Sequence, residues 1–149
     1  MNPNTHILVA EDNEDDVFIL KRALKKAGLS NPLHVCADGE EVISYIKAEG
    51  IYADRTKYPF PRMLLLDLKM PRVNGLDVLR FLRDHPECNM IPKIVLTSSR
   101  EPRDVKEAYQ LGANAYLCKP ASFEDLQRQL SVLHQFWNCC ELPEMPVKC

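Results

Sequence analysis

Short apolar stretches alternate with segments of helical periodicity along most of the chain. In residues 17–27, for example, apolar side chains recur at helical spacing and stop at Gly28, a residue that commonly ends helices. Apolar stretches of four or five residues are typical of strands buried on both faces. The five stretches are residues 6–10, 33–36, 63–66, 93–96 and 115–118. This alternation predicts an α/β fold with a parallel sheet.

Four further helices are predicted between and after these strands. They cover residues 40–48, a segment that begins after the capping residue Asn74, residues 101–111, and a last helix capped by Ser122. Residues 49–61 form an unusually long connection, which we expect to be an ordered surface excursion. We place one domain at residues 5–137, followed by a tail at 138–149 that carries no output domain and either extends along the surface or frays.

Composition excludes several classes of protein. The chain has 149 residues, a net charge of -2 and a pI near 6.1, with both signs of charge scattered along it. It lacks the basic stripe that binding to a nucleic-acid backbone requires. The first six residues do not resemble a leader peptide, and no apolar stretch is long enough to cross a bilayer. We therefore expect a soluble, cytoplasmic protein of one domain, with neither nucleic acid nor a membrane as partner.

The six cysteines are irregularly spaced and include no CxxC pair. Such spacing indicates neither a disulfide framework nor a zinc site, so we expect free thiols in a reducing compartment. Metal binding or oxidation of the three tail cysteines is the less favoured alternative. These residues are Cys139, Cys140 and Cys149.

Carboxylates follow two of the predicted strands directly. Asp67 ends the third strand, and Glu11 and Asp12 follow the first. In a doubly wound sheet of order 2-1-3-4-5 these strands are neighbours, so the three carboxylates meet at the switch point of the topology. Crowded carboxylates need a compensating cation, and Mg²⁺ suits an incomplete cage of oxygen ligands. Each acid also has a simpler interpretation, since Asp67 could form a turn and residues 14–16 could offset a helix dipole.

Two more strand ends add a hydroxyl group and a cation. Thr97 ends the fourth strand and is followed by the small residues Ser98 and Ser99, and Lys119 follows the fifth strand. Taken singly, Thr97 could be a cap and Lys119 a solvated lysine. Together with an aspartate nucleophile and Mg²⁺, however, they favour a phosphoryl-transfer site that works by positioning and charge neutralisation.

The ordered motifs resemble the receiver domain of two-component response regulators. The motifs are Glu11-Asp12-Asn13, Asp67-Leu68-Lys69-Met70-Pro71, Leu96-Thr97-Ser98 and Tyr116-Leu117-Cys118-Lys119-Pro120. The resemblance covers residues 5–137 and implies a doubly wound, flavodoxin-like sheet of five parallel strands with five helices. The long 49–61 segment and the Phe136-Trp137 ending are similar to small stand-alone receivers associated with bacterial phytochromes and related hybrid kinases.

This resemblance implies a role for each site residue. Asp67 would accept a phosphoryl group from the phosphohistidine of a sensor or hybrid kinase, Lys119 would pair with that group, and Thr97 and Tyr116 would act as switch residues. The implied Mg²⁺ ligands are Glu11, Asp12, Asp67 and the backbone carbonyl of Lys69. The positions that vary the rate of hydrolysis in this family are Lys69, Ser98 and Ser99. The Lys119-Pro120 peptide bond would be cis. The protein would catalyse its own phosphorylation and slow dephosphorylation.

The family signals through a face made by helix four, strand five and helix five. In this chain that face carries Lys106, Tyr109, Tyr116, Cys118, Gln127 and Arg128. Phe136 and Trp137 add apolar area, which either caps the core against the tail or forms a surface for a homodimer or another partner. Diffusible messenger, relay shuttle and phosphate sink all remain open as cellular roles.

Three competing interpretations have weaker support. A haloacid-dehalogenase type of enzyme would carry a second aspartate at the position of Lys69. A degenerate receiver would lack some of the expected side chains, whereas all of them are present. A nucleotide-binding domain would carry a glycine-rich phosphate loop, which the sequence lacks.

Overall fold

The computed structural model describes residues 5–147 and 149. Residues 1–4, part of the segment judged not to be a leader, and Lys148 of the predicted tail lie outside the described residues. The described chain forms five strands, five α-helices and two short 3-10 helices. The strands are β1 (Ile7–Ala10), β2 (Leu33–Cys36), β3 (Met63–Leu66), β4 (Lys93–Thr97) and β5 (Ala115–Cys118). The helices are α1 (Glu14–Lys26), α2 (Gly39–Lys47), α3 (Gly75–Arg83), α4 (Pro102–Gln110) and α5 (Phe123–Asn138).

All four strand pairings are parallel, and the strand order is β2-β1-β3-β4-β5. This confirms the predicted doubly wound sheet of order 2-1-3-4-5. The register pairs Ala10 with Leu66 and Thr97 with Cys118, so β1 and β3, and likewise β4 and β5, end level with each other. The residues that follow these strands therefore emerge together at the carboxyl edge of the sheet.

The sheet separates two layers of apolar packing, because successive strand side chains point to opposite faces. Leu8 of β1 contributes to the core beneath α2, α3 and α4, whereas Val9 contributes to the core beneath α1 and α5. Leu126, Leu130, Leu133 and Trp137 of α5 are all buried in the second of these layers.

Side-chain caps fix where the helices begin. Ser122 accepts a hydrogen bond from the backbone nitrogen of Asp125 at 3.1 Å, and Asn74 forms a reciprocal capping box with Asp77. These are the caps expected from the sequence. Gly28 adopts a φ of 91° just beyond α1, a left-handed conformation that glycine adopts without steric cost.

Residues 49–61 are ordered, as predicted. Gly50–Ala53 forms a 3-10 helix in this segment. The guanidinium of Arg55 donates hydrogen bonds to the carbonyl oxygens of Tyr45 at 2.8 Å, Ile46 and Tyr58, and so ties the segment to the end of α2. Carbonyl groups at a helix end lack partners within the helix, so they can accept hydrogen bonds from a half-buried arginine there.

The tail corrects the expectation of free thiols. Cys88, which lies in the 3-10 helix Cys88–Met90, forms a disulfide with Cys149, with the two Cα atoms 5.8 Å apart. The two residues are 61 positions apart in the chain, a distance at which spacing rules carry no information. The remaining thiols of the described chain, Cys36, Cys118, Cys139 and Cys140, are free.

No helix in residues 5–147 has the length and apolar character needed to cross a membrane.

Candidate phosphoryl-transfer site

Four of the predicted site residues converge at the carboxyl edge of the sheet. Asp67 is bound to β1 through its backbone nitrogen, which donates to the carbonyl oxygen of Ala10 at 3.0 Å, and Lys119 is bound to β4 in the same way through Thr97 at 2.8 Å. Glu11 follows β1 directly. The parallel register therefore delivers carboxylate, hydroxyl and ammonium groups to one point from four strands.

Both oxygens of Asp67 accept hydrogen bonds. The hydroxyl of Thr97 donates to Oδ1 at 2.8 Å, and the backbone nitrogen of Lys69 donates to the same oxygen at 3.2 Å. The ammonium of Lys119 donates to Oδ2 at 2.9 Å. Asp67 and Thr97 are buried, so these contacts are shielded from water. The result is an oriented, ionised carboxylate at the end of a central strand.

Lys119 is surrounded by acid groups. Besides Asp67, its ammonium contacts Glu11 at 3.1 Å and Asp16 at 3.2 Å. Burial disfavours the ammonium, but the bonds and charges of Asp67 and Glu11 outweigh that effect and raise the pKa of Lys119. Three carboxylates share one cation, which leaves the cluster short of positive charge.

Because the cluster is short of positive charge, Glu11 is the carboxyl group that tends to keep its proton. Burial, followed by the hydrogen bond with Asp67 and the charge of that residue, raises the pKa of Glu11 to about 9. Burial also opposes ionisation of Asp67, but hydrogen bonds with Glu11, Lys119 and Thr97 hold the pKa of Asp67 below its usual value. The pair therefore divides into one charged carboxylate and one that keeps its proton until a further cation offsets it.

The donor set fits a hard divalent cation, since it consists of carboxylate oxygens with too little compensating charge. The predicted ligands do not lie close enough together to bind one cation, however. Among the described residues, the oxygens of Glu11, Asp12 and Asp67 do not all lie within 4.8 Å of one another, and Asp12 is exposed. Lys119 lies where it bridges Glu11 and Asp67, so cation binding at this edge requires the ammonium to share those oxygens.

Asp16 lies in the site, although the sequence favoured a different role for it, that of offsetting the dipole of α1. Asn13 caps α1 by accepting from the backbone nitrogen of Asp16 at 3.0 Å, which places Asp16 in the first turn. Its carboxylate then reaches Lys119 across the site. Residues 14–16 are three consecutive acids. Only the orientation of the first turn of α1 determines that Asp16 is the one that faces the site.

The switch candidates are linked behind Thr97. The backbone nitrogen of Ser99 approaches the Thr97 hydroxyl at 3.5 Å, and the hydroxyl of Tyr116 donates to the carbonyl oxygen of Ser99 at 3.0 Å. The hydroxyl of Ser99 itself donates to Asp104 at 2.6 Å, in the first turn of α4. Ser99, expected only to tune a rate, therefore joins the site to α4, whereas Ser98 and Lys69 are exposed.

The proposed signalling face is only partly as predicted. Lys106, Tyr109, Arg128 and Phe136 are exposed, and Cys118 is half-buried with its thiol 3.6 Å from the carbonyl oxygen of Ser99. Trp137 is 8% exposed and belongs to the core under α1 and α5, so the alternative that it caps the core is confirmed and its inclusion in an interface was wrong. It lies four residues after Leu133 and so shares the buried face of α5. Gln127 faces α1, where its amide donates to the carbonyl oxygen of Lys26 at 3.5 Å.

The expected cis peptide bond is also absent. No cis peptide bond occurs in residues 5–147, so Lys119-Pro120 is trans. Trans is the favoured form of a bond before proline, by roughly 0.5–1 kcal/mol.

A second group of potential metal ligands lies away from the candidate phosphoryl-transfer site. Atoms of His34, Cys36 and Glu41 lie within 4.8 Å of one another. The hydroxyl of Tyr52 is 3.0 Å from Nε2 of His34 and donates to Glu41 at 2.5 Å. His34 and Glu41 therefore both have a hydrogen-bond partner in Tyr52. Burial raises the pKa of the Cys36 thiol and so disfavours the thiolate that a metal would need. We interpret this group as a structural hydrogen-bond network.

A cavity of about 490 Å³ opens beside the site, between α1 and α5. Glu11, Asp67 and Lys119 lie on its wall, and Arg22 and Phe123 line it further out. The guanidinium of Arg22 lies 5.5 Å from the ring centroid of Phe123. The cavity gives the buried carboxylate a route to solvent.

Comparison with known proteins agrees with this geometry. The family model described as "Response regulator receiver domain" matches residues 7–131. The "Probable methanogenesis regulatory protein FilR2" of Methanothrix harundinacea is 36% identical over 132 residues, which cover 88% of this chain and 82% of that protein. "Response regulator Rcp1" of Synechocystis is 32% identical over 91% of this chain and 90% of its own length.

Solved structures agree equally well. The response regulator RPA3017 "in red light signaling of R. palustris" superposes with a TM-score of 0.90 at 38% identity, covering 95% of this chain and 99% of that one. The phosphorylated cyanobacterial phytochrome response regulator RcpA gives 0.86 at 30% identity, with coverage of 95% and 99%. The Mn²⁺-bound form of Rcp1 gives 0.83 at 30% identity, with coverage of 94% and 99%.

Proposed function

Because the chain belongs to the response regulator receiver domain family, we propose that Asp67 accepts the phosphoryl group that activates it. A single observation supports this assignment. The two oxygens of the buried Asp67 carboxylate accept hydrogen bonds from the hydroxyl of Thr97 and the ammonium of Lys119. A nucleophile so oriented needs no general base, because it is already ionised. Receiver domains act in two-component systems with histidine kinases as phosphoryl donors.

The proposed transfer is an in-line displacement. An oxygen of Asp67 attacks phosphorus, the bond from phosphorus to the donor nitrogen breaks, and the electron pair leaves with the imidazole, which retains or gains a proton. Lys119 balances the charge of the new acyl phosphate. The hydroxyl of Thr97 exchanges Asp67 for a phosphoryl oxygen as its acceptor, and the backbone nitrogen of Lys69 supplies a further hydrogen bond.

We propose Mg²⁺ as the cation that this site uses. Glu11 and Asp67 would hold it, together with Asp12 and the carbonyl oxygen of Lys69. Its chemistry there would be to neutralise the phosphoryl oxygens during transfer. The Glu11→Gln and Asp12→Asn variants should each reduce Mg²⁺-dependent phosphorylation, while Glu14→Gln, at an exposed acid of α1, provides the matched control. Repeating the reaction with Mn²⁺, the ion present in the Rcp1 structure, tests the choice of metal.

We also propose that the protein catalyses its own phosphorylation and a slow autodephosphorylation. Ser98 and Lys69 are exposed at the rim of the site, where they can limit the approach of water to the acyl phosphate. Decay of the phosphorylated mass after removal of the donor gives the rate. A substitution at either position should change that rate without changing the stability of the fold.

The proposed donor is a phytochrome-type sensor or hybrid kinase. The support is the similarity to RPA3017 and RcpA, whose descriptions name red-light signalling and a phytochrome. Competition between a phytochrome kinase and an unrelated histidine kinase for the same receiver tests this choice. Equal phosphorylation by both would contradict it.

The output surface that we propose is the face formed by α4, β5 and α5, acting through a homodimer. Its exposed members include Tyr109, which is 49% exposed, and Phe136, which is 60% exposed. The chain of bonds from Thr97 through Ser99 to Tyr116 supports movement of this face on phosphorylation. Light scattering of the free and phosphorylated protein, with Phe136→Ser beside wild type, tests it. A strict monomer in both states would remove the dimer.

The decisive experiment is intact mass after incubation with acetyl phosphate and Mg²⁺. We expect one phosphoryl increment that chelator abolishes and that Asp67→Asn lacks. The matched control is Asp54→Asn, which changes an exposed aspartate in the segment between α2 and β3. An increment that persists in Asp67→Asn would place the acceptor elsewhere.

A further inference from the structure

The C-terminal segment connects the two helical layers beneath the amino edge of the sheet. Helix α5 ends at Asn138 in the layer that contains α1, whereas Cys88 lies between α3 and β4 in the opposite layer. We call residues 139–147 together with Cys149 the strap. Arg62, just before β3, donates to the carbonyl oxygen of Pro143 at 3.2 Å, and Arg55 donates to that of Val147 at 2.6 Å.

Contacts outside the strap hold the side chain of Arg55 in its orientation. Its two terminal nitrogens bond to carbonyl oxygens at the end of α2 and at Tyr58, and its guanidinium lies 5.7 Å from the ring centroid of Tyr45 and 5.4 Å from that of Phe60. The remaining Nε donor is the one that binds the strap. The strap thus docks on a rigid donor, and this docking brings Cys149 to Cys88.

We propose that Cys88 and Cys149 form a reversible thiol–disulfide site that fastens the strap in response to low-molecular-weight disulfides such as oxidised glutathione. Cys149 is exposed and Cys88 is fully buried, so the terminal thiol reacts first. The thiolate of Cys149 attacks one sulfur of the small disulfide and releases one thiol. The thiolate of Cys88 then attacks the Cys149 sulfur and releases the second thiol.

The reaction is balanced. Two protein thiols and one small disulfide give one protein disulfide and two small thiols, and the two protein protons are carried away by the released thiolates. A reducing dithiol reverses both steps. No metal or phosphoryl group takes part, so the site is independent of the function proposed for Asp67.

The fold makes this pair selective among the cysteines. Cys139 and Cys140 are adjacent in the strap, but their thiols donate to the carbonyl oxygens of Gln135 and Phe136, both 3.4 Å away at the end of α5. Cys36 is buried beneath α2. The Cys88–Cys149 bond closes a separation of 61 residues, and its formation restricts the strap between two covalent anchors, α5 and Cys88.

The first test uses the intact chain in buffers of oxidised glutathione and of a reducing dithiol. After oxidation we expect a mass lower by two hydrogen atoms, and protection of Cys88 and Cys149 alone from an alkylating reagent under denaturing conditions. Cys139→Ser should oxidise as wild type does, and Cys149→Ser should not lose the two hydrogens. A disulfide between Cys139 and Cys140, or alkylation of Cys88 in the oxidised protein, would overturn the proposal.

The second test measures docking of the strap by cleavage with a glutamate-specific protease. Glu141 and Glu144 are exposed cleavage sites within the strap. We expect cleavage there to be about tenfold slower in the oxidised wild type than in the reduced protein, because opening must precede cleavage. Cys149→Ser should be cleaved at the fast rate under both conditions. Equal rates for oxidised and reduced wild type would show that the bond does not control the strap.

Discussion

The ammonium nitrogen of Lys119 lies 2.9 Å from Oδ2 of Asp67 and also contacts two other carboxylates. One of these is Asp16 of α1, which therefore helps to determine where the ammonium rests. Asp16→Asn should slow phosphorylation of Asp67 by acetyl phosphate about threefold, since losing one partly exposed ion pair costs on the order of 0.5–1 kcal/mol. Asp15→Asn, at the neighbouring exposed acid, should leave the rate unchanged. Equal effects of the two substitutions would mean that general charge, rather than the contact with Lys119, is responsible.

Helix α3 begins in direct contact with the backbone of the proposed phosphoacceptor. The nitrogen of Gly75 donates to the carbonyl oxygen of Leu68 at 3.0 Å, and a Cβ atom on Gly75 would collide with the carbonyl oxygen of Asp67. We expect Gly75→Ala to lower the free energy of unfolding by about 1–3 kcal/mol, the usual cost of overpacking, and to reduce phosphorylation. Denaturant unfolding measures the first effect and intact mass the second.

Gly50 offers the control for that substitution. It has a φ of 59°, and a Cβ atom there would meet nothing within 4 Å. Gly50→Asn, which tolerates the left-handed conformation, should change stability by less than about 1 kcal/mol and leave phosphorylation intact. A loss of phosphorylation in this control would point to a general effect of substitution on the fold.

Two adjacent aromatic residues at the end of α5 should differ sharply in their effect on stability. Trp137 is 8% exposed and Phe136 is 60% exposed. Trp137→Ala should lower the free energy of unfolding by about 3–5 kcal/mol, because it leaves a cavity in the layer beneath α1 and α5. Phe136→Ala should change it by less than about 0.5 kcal/mol. Chemical denaturation of both variants compares them, and similar costs would contradict the assignment of Trp137 to the core.

Lys93 should make stability rise at alkaline pH. Its side chain is 3% exposed, and burial lowers the pKa of its ammonium to about 8 from an ordinary value of 10.5. Between these values the folded protein binds fewer protons than the unfolded chain, so this group makes the free energy of unfolding increase as pH rises through that window. Below it, the charged ammonium destabilises the fold, even though it donates to the carbonyl oxygens of Asn89 at 2.8 Å and Ile91 at 3.0 Å.

The Lys93→Met variant tests this dependence. Its free energy of unfolding relative to wild type should fall by about 2 kcal/mol between about pH 7.5 and pH 10, because only wild type loses the buried charge. Denaturant melts of both proteins at several pH values provide the comparison. Parallel profiles would mean that the ammonium of Lys93 titrates near its ordinary value.

Much of this fold was predictable because the signals are local. The apolar stretches gave the strands, and Asn74 and Ser122 marked the starts of α3 and α5 through bonds to residues three positions away. The order of polar residues at the strand ends then predicted which side chains meet at the carboxyl edge of the sheet. Once strand order is known, register alone brings Glu11, Asp67, Thr97 and Lys119 together.

What the sequence did not predict depends on the final placement of side chains in three dimensions. The contact of Asp16 with Lys119 follows from the orientation of α1, and three neighbouring acids look alike in sequence. Trp137 was left open between the core and an interface, although its spacing from Leu133 already favoured the core. The Cys88–Cys149 bond depends on the path of a tail without periodicity, which Arg55 and Arg62 determine from elsewhere in the chain.

The missing side chain of Gly75 sets the direction in which this receiver can respond. Since α3 begins against the backbone of Asp67, we expect the proposed acceptor to stay in place, and any approach between Asp67 and its hydroxyl partner to be made by Thr97 and the loop that leads to α4. We expect displacement to begin on the side of β4, where Ser99 binds Asp104 and Tyr116. We therefore expect the chain to hold the proposed phosphoacceptor as a fixed reference point, so that the signal is how far the neighbouring loop has moved relative to that point.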